Sequence, residues 1–362
     1  MMLNQSVISW RRNRRVRVSS NRIPRNTSLQ VLSERVSVRD DADCIEKYRL
    51  DKNGLLNFSM RLHSALEPST RAGISSLEQV KVALSFFGSG SSLQTLHMNY
   101  GIAPSTIYKI IVRVSKALND ICMDDFVQFP TADDSSGLRL IKDGFWDYGQ
   151  FPSCLGAIDG TQIRIKAPKS NEEIYVNRKG YHSINVQLIC SMNQEITSCT
   201  VKWPGSVHDS TIWKNSTICS QLNHGYTGWL IGDSGYPLRE KLMVPFNNPT
   251  AAGEKKFNKS LKRCRSVVER TIGVLKSRWR CLDSSNTGGL QFTPEVSCQV
   301  IGACIILHNY CIRRRLPYNI LPHILTDRDE SVRHHDENEN ARVLLKKGKN
   351  QRNEIIRQFF GP

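Results

Sequence analysis

The sequence predicts an α/β fold, a mixed sheet with flanking helices preceded by a small helical, helix-turn-helix-like domain. Three observations point there. Short apolar runs of strand length fill much of residues 151–240, and longer helical patterns follow them. Residues 41–125 carry helical periodicity. Two of the apolar runs, Leu155–Asp159 and Trp229–Asp233, stop at an acid followed by turn residues. A strand that ends so holds its charge rigidly at the mouth of a site.

Residues 1–40 are polar and hold Arg11, Arg12, Arg14, Arg15, Arg17, Arg22 and Arg25, which reads as a disordered basic arm. From 41 to 125 the helical segments include Leu77–Phe87, with Val80, Ala83, Leu84 and Phe87 on one stripe. Gly101 suits a helix stop, and Ser105 suits the N-cap of a helix to about Leu118. The short turn between them matches a helix-turn-helix, with Lys109, Arg113 and Lys116 exposed on its second helix. A plain helical hairpin is the alternative. Residues 126–150 form a connector with a short helix around Leu138–Tyr148.

Beyond it, Leu155–Asp159, Thr161–Lys166, Ser183–Ser191, Ile196–Trp203 and Trp229–Asp233 read as strands. A helix opens near Thr211, and residues 237–258 look irregular. Asn258–Cys281 is a long helix whose stripe runs Leu261, Cys264, Val268, Ile272, Leu275, Trp279, with Glu269 at its flank. Thr293–Ile312 is an apolar helix fit to cover the sheet, and 151–315 is read as one domain. Residues 316–362 form a polar tail with one exposed helix, Glu339–Phe359.

Charge narrows the function. Fifty Lys and Arg against 33 Asp and Glu give +17 over 362 residues, which points to a polyanionic partner, nucleic acid by default. A merely solvated basic surface is the bland alternative. No uninterrupted run of 18 apolar residues occurs, so no membrane span is expected, and the first ten residues lack the apolar core of a secretory signal. Eleven cysteines without a CxxC pair suggest reduced thiols in an intracellular protein. Cys304, His308 and Cys311 lie within an apolar helical pattern and lack a second ligand pair, so they read as core rather than as a zinc site.

The chemistry rests on acids. Asp159, Asp209, Asp233 and Glu269 come from separate elements, and a site for hard divalent cations needs oxygen donors that converge in this way. Adjacent strands with a helix packed across them would gather such positions in an RNase H-like sheet. Two metal ions about 3.5–4 Å apart suit phosphodiester cleavage. Taken alone, Asp159 and Asp233 could cap turns, Asp209 could cap a helix, and Glu269 could pair with Arg265 or Arg270.

Gly156–Thr161, Val176–Ser183, Trp203–Ser210, Gly232–Pro237 and Val268–Gly273, with Cys281–Asp283 and Ile306–Asn309 downstream, resemble the PIF/Harbinger transposases. They look especially like the family's domesticated nuclease of animals. The likeness covers roughly residues 75–315. It implies an RNase H-like DDE endonuclease with Asp159, Asp233 and Glu269 as catalytic triad, Asp209 as a further metal-proximal acid, and Mg²⁺ or Mn²⁺ as cofactor. It also implies DNA as substrate, strand transfer as a further step, and a separate Myb/SANT-like DNA-binding partner. Homo-oligomerisation stays open. Arg178, Lys179 and His182 lie where they would meet phosphate near the metals, and Arg265 and Lys276 on the basic helix would guide a DNA backbone. The expected location is the nucleus, with cytoplasm besides. A catalytically silent DNA- or chromatin-binding module is the competing expectation, because a fold does not set its function.

Overall fold

In the computed structural model of the protein, residues 40–68, 73–318 and 339–361 are described. The expected basic arm lies outside these residues except for Asp40, as does 319–338 of the tail.

Among the described residues six helices come first: α1 (Asp41–Tyr48), α2 (Lys52–Arg61), α3 (His63–Leu66), α4 (Ser76–Ser89), α5 (Leu93–Tyr100) and α6 (Pro104–Phe126). Local chemistry sets their ends. The Ser75 and Ser92 hydroxyls accept from the Glu78 and Thr95 N–H groups, and Gly90 and Gly101 close α4 and α5 in the left-handed conformation. The cap expected at Ser105 is displaced by Pro104, which opens α6 itself. A proline fits there because first-turn N–H groups need no helical partner. The helix then continues to Phe126, past Leu118, because Cys122 and Phe126 extend its buried stripe.

These helices share their core with the sheet and with a later helix. Leu55, Phe58, Val80, Phe87, Ile107 and Val114 pack in one cluster with α13 (Pro294–Arg313) and sheet residues Ile184, Val186 and Leu188. Lys109, Arg113 and Lys116 are exposed as expected. Arg113, however, donates to the Ala65 and Glu67 carbonyls at 3.0 Å each, and Lys116 pairs with Asp120 at 2.6 Å.

After α7 (Ser135–Gly149) come β1 (Cys154–Arg164), α8 (Glu172–Tyr175), β2 (Ser183–Cys190), β3 (Ile196–Pro204), α9 (Asp209–Lys214), α10 (Thr217–Leu222), β4 (Trp229–Ile231) and β5 (Leu242–Met243). They build one mixed sheet in the order β3-β2-β1-β4-β5. β1–β2 and β2–β3 are antiparallel, while β1–β4 and β4–β5 are parallel. Where the pattern predicts two strands broken after Asp159, β1 runs through: Asp159 faces Leu188 and Gly160 faces Gln187. The Asp-Gly pair resembles a turn signal, yet the ladder continues across it.

α11 (Ala252–Arg278) packs across β1 and β2 and starts six residues before the expected Asn258. Glu254 explains the early start: its carboxylate accepts from the Thr250 and Ala251 N–H groups at 2.7 and 3.2 Å. α12 (Ser284–Thr287) precedes α13. By length and composition α13 would pass for a membrane span, contrary to the sequence expectation, but most of it is buried in the protein's own core. Within that core His308 Nε2 hydrogen-bonds the Gln194 carbonyl at 2.9 Å, and burial pushes its pKa down to about 4. Cys304 Sγ lies 3.8 Å from Cys281 Sγ.

The tail helix, α14 (Glu339–Ile355) with a π-helical turn Ile356–Phe360, is not free-standing. Ile355 and Phe360 are buried in a second cluster with Phe151, Phe257, Leu230 and Met243.

Candidate active site

The parallel pairing of β1 with β4 brings the first two acids together. Ala157 is opposite Ile231, and Asp159 and Asp233 each stand two residues further on. Neighbouring strands lie about 4.8 Å apart. The Gly235 N–H donates to Asp233 Oδ1 at 2.9 Å, which anchors that carboxylate in the turn after β4.

Asp209 opens α9 and is held from β2. Asn185 Nδ2 donates to Asp209 Oδ1 at 2.9 Å, and Gln187 Nε2 lies 3.4 Å from the Asp209 carbonyl and 3.2 Å from the Tyr236 hydroxyl. Gly160 makes room for this approach, since a Cβ there would fall 2.5 Å from Asp209 Oδ1. Glu269 arrives on α11. One turn earlier, Arg265 Nη1 donates to Asp159 Oδ2 at 2.9 Å while Nη2 contacts Glu269 Oε1. A single guanidinium thus joins acids 110 positions apart.

Electrostatics ties the group together. Burial pushes the Asp159 carboxyl up to about 8, and the charges of Asp233 and Asp209 add to the rise against the pull of Arg265 and the Gly160 N–H. Burial also raises the Tyr236 phenol, helped by Asp209, Asp159 and Asp233. Burial disfavours the Arg265 charge, but Asp159, Glu269 and Asp233 outweigh it and hold the guanidinium protonated. All four predicted acids therefore belong to one constellation.

The donor set is all oxygen, which suits Mg²⁺ or Mn²⁺, and its crowded negative charge is of the kind a cation relieves. As the side chains stand, no three of the described acidic, His or Cys residues converge as ligands. The cationic group between Asp159 and Glu269 is Arg265. The fit to a metal is thus one of chemistry and neighbourhood.

The five residues expected to meet DNA divide. Arg178 and Lys179 are exposed on the loop before β2, and Arg178 contacts His208, which caps α9 next to Asp209. His182 Nε2 lies 2.8 Å from Glu172 Oε1. Arg265 lies inside the acidic group. Lys276 is buried, its ammonium 3.3 Å from the Gln162 carbonyl, so it faces the fold rather than a duplex. The sequence reading also misses Asn185, Gln187 and Tyr236. The first two were findable: polar residues two apart in an otherwise apolar strand share one face. A wide cleft of about 2570 Å³ lies along β3, α6, α7 and α13, and none of the four acids lines it.

A mixed sheet with one acid on a strand and a second just past the end of its parallel neighbour, and a third on the helix packed across them, has the layout of a DDE-type nuclease domain. Residues 158–309 match the family described as DDE superfamily endonuclease. Human "Putative nuclease HARBI1" is 36% identical over 245 residues, 67% of this chain and 69% of that protein. Its namesake in Xenopus laevis is 33% identical over 256 residues, 70% of this chain and 73% of that one. "Protein ALP1-like" of Arabidopsis thaliana is 26% identical over 255 residues, covering 65% and 60% of the two chains. No solved structure gives a significant match. The chain belongs to the Harbinger transposase-derived nuclease family within the DDE superfamily endonucleases.

Proposed function

We propose that the protein is a divalent-metal-dependent DNA endonuclease in which Asp159, Asp233 and Glu269 form the catalytic set and Asp209 supports it. The observation that carries this reading is the shared cation: Arg265 reaches Asp159 at 2.9 Å and contacts Glu269 as well. Strand and helix therefore present their acids to one positive charge.

Mg²⁺ or Mn²⁺ bound by these carboxylates would supply charge stabilisation and an activated water for in-line attack on a phosphodiester, leaving a 3′-hydroxyl. The chain's own residues do the positioning. Asn185 and Gln187 hold Asp209, and the Gly235 N–H orients Asp233. Arg178 and Lys179 stand on the exposed loop beside α9, where a strand's phosphates would pass. Strand transfer as a further step, a separate Myb/SANT-like partner and nuclear location extend the same proposal.

Supercoiled plasmid with Mg²⁺ or Mn²⁺ tests it. Wild type is expected to nick, and Asp233→Asn to fall to about one hundredth of that rate or less, since even outer-shell changes at metal sites cost 10–100-fold. Equal DNA binding by both proteins with nicking by neither would instead establish a silent DNA-binding module.

A further inference from the structure

Three arginines gather at the far end of α11 with too few partners. Arg278 ends the helix, Arg280 follows in a 3-10 turn (Arg280–Leu282), and Arg49 comes from the end of α1. Arg278 is only 4% exposed, yet its Nε and Nη1 have no hydrogen-bond partner. Arg49 Nε and Arg280 Nε are likewise buried without one. What holds these side chains is chiefly packing, carbonyls and the Cys311 thiol, which is hydrogen-bonded with the Arg278 side chain and donates to the Arg49 carbonyl at 3.4 Å. Arg278 Nη2 donates to the Leu316 carbonyl at 2.9 Å, and its guanidinium lies 5.3 Å from the Tyr318 ring centre. Arg49 Nη1 donates to the Glu46 carbonyl at 2.7 Å. The Arg49 stem crosses Gly88, where an added Cβ would sit 3.0 Å from Arg49 Cγ.

No ion pair among the described residues involves any of the three. Burial lowers the Arg49 pKa, the charges of Arg280 and Arg278 lower it further, and only then does Glu46 offset them. A buried cation without a counter-charge is costly. The negative end of the α11 dipole offsets part of that cost, but it leaves the orphaned N–H groups unanswered. Arg49 and Arg280 are half-exposed, so the cluster opens to solvent through them. Guanidinium forks match the oxygens of a phosphate group.

We propose that Arg49, Arg278 and Arg280 form a binding site for a phosphate group, separate from the acidic constellation. Arg278 lies nine positions beyond Glu269 on the same helix, roughly 14 Å along its axis. The group comes either from a nucleic-acid backbone or from a free phosphorylated compound. The proposal stands apart from the nuclease reading, because it involves none of the four acids.

The test uses the full chain in divalent-free buffer, titrated with inorganic phosphate against sodium chloride at matched ionic strength. Wild type is expected to show a saturable rise in Tm, about 2 °C at tenfold excess over the dissociation constant. Arg280→Gln and Arg49→Gln should each lose that rise and, relieved of repulsion, melt in chloride no lower than wild type. Should one variant fail to fold, the other carries the comparison. A wild type no more responsive to phosphate than to chloride, or variants that keep the full rise, would overturn the site. Duplex binding then identifies the source. If the backbone supplies the phosphate, Arg280→Gln reduces the slope of log K against log salt by about 0.9 for one lost contact. If a free compound supplies it, duplex binding stays unchanged while the phosphate-induced rise is lost.

Discussion

Asp159 is the residue under greatest electrostatic stress in the acidic group. Its carboxyl rises from 3.8 to about 8 because burial and two neighbouring aspartates disfavour its charge. Between those values the folded protein holds a proton that the unfolded chain has released, so this group's contribution to stability falls as pH rises from about 4 to 8. In EDTA, wild-type Tm should decline across that window, and Asp159→Asn should flatten the decline. Equal slopes in the two proteins would refute the assignment. Arg265 works against the same stress. Arg265→Gln leaves Asp159 and Glu269 without their shared cation and should cost about 2 kcal/mol in urea unfolding without metal, less than the ~3–5 kcal/mol of a fully buried pair because these side chains keep some contact with solvent. Added Mn²⁺ should restore more stability to this variant than to wild type, and an equal gain in both would count against a shared cation site. Asp159 and Asp233 stand out in the sequence as charges that end apolar runs, whereas Asp209 at a helix start and Glu269 on a basic helix stand out only in company with them and through the family resemblance. Arg265 was less legible: four residues before Glu269, it reads as half of a surface ion pair or as a DNA contact, and the apolar stripe of its helix marks the buried side without naming what a residue at its flank will meet.

Elements were legible where periodicity alone decides them and less so where a capping group or a partner does. Ser183–Cys190 and Ile196–Pro204 match their apolar patterns. β1 does not stop at Asp159, because hydrogen bonding to β2 overrides the turn signal of Asp159-Gly160. The two-residue β5 carries no period at all and exists through its pairing with β4. The tail shows the same limit. A polar, basic helix reads as solvent-exposed, yet its last turn delivers Phe360 to within 5.7 Å of the Phe257 ring and 6.2 Å of the Phe151 ring. Lys256 Nζ, 3.3 Å from the Phe360 carbonyl, ties that turn to the start of α11. Phe360→Ala should therefore cost about 3 kcal/mol, the lower end for a buried phenylalanine. Urea denaturation measures it, and a loss under 0.5 kcal/mol would mean that the tail contributes no core.

The whole molecule depends on contacts that no local pattern announces, which is why the helices of 41–126 read as a domain while they share one core with α13 and the sheet. Asn309 shows how the layers are joined. It is fully buried on α13; its Oδ1 accepts from the Ile196 N–H at 2.8 Å, and its Nδ2 donates to the Ile196 and Phe126 carbonyls at 2.7 Å each. Ile196 begins β3, the edge of the sheet, where pairing with β2 is irregular, and Phe126 ends α6. One amide thus caps an open strand edge and fastens a helix end to it. The sequence marks Asn309 only as part of a family motif, without a role, because its partners lie 113 and 183 positions away. In Asn309→Ala the Ile196 N–H and carbonyl lose this partner, whereas the Phe126 carbonyl keeps Arg313 at 3.0 Å. At about 1–3 kcal/mol for each orphaned group, the expected loss is about 3 kcal/mol. Asn309→Asp, which retains the acceptor and loses the donor, should fold but recover only part of that loss. If Asn309→Ala unfolds within 0.5 kcal/mol of wild type, the amide does not join the layers and packing alone holds the sheet edge to the helices.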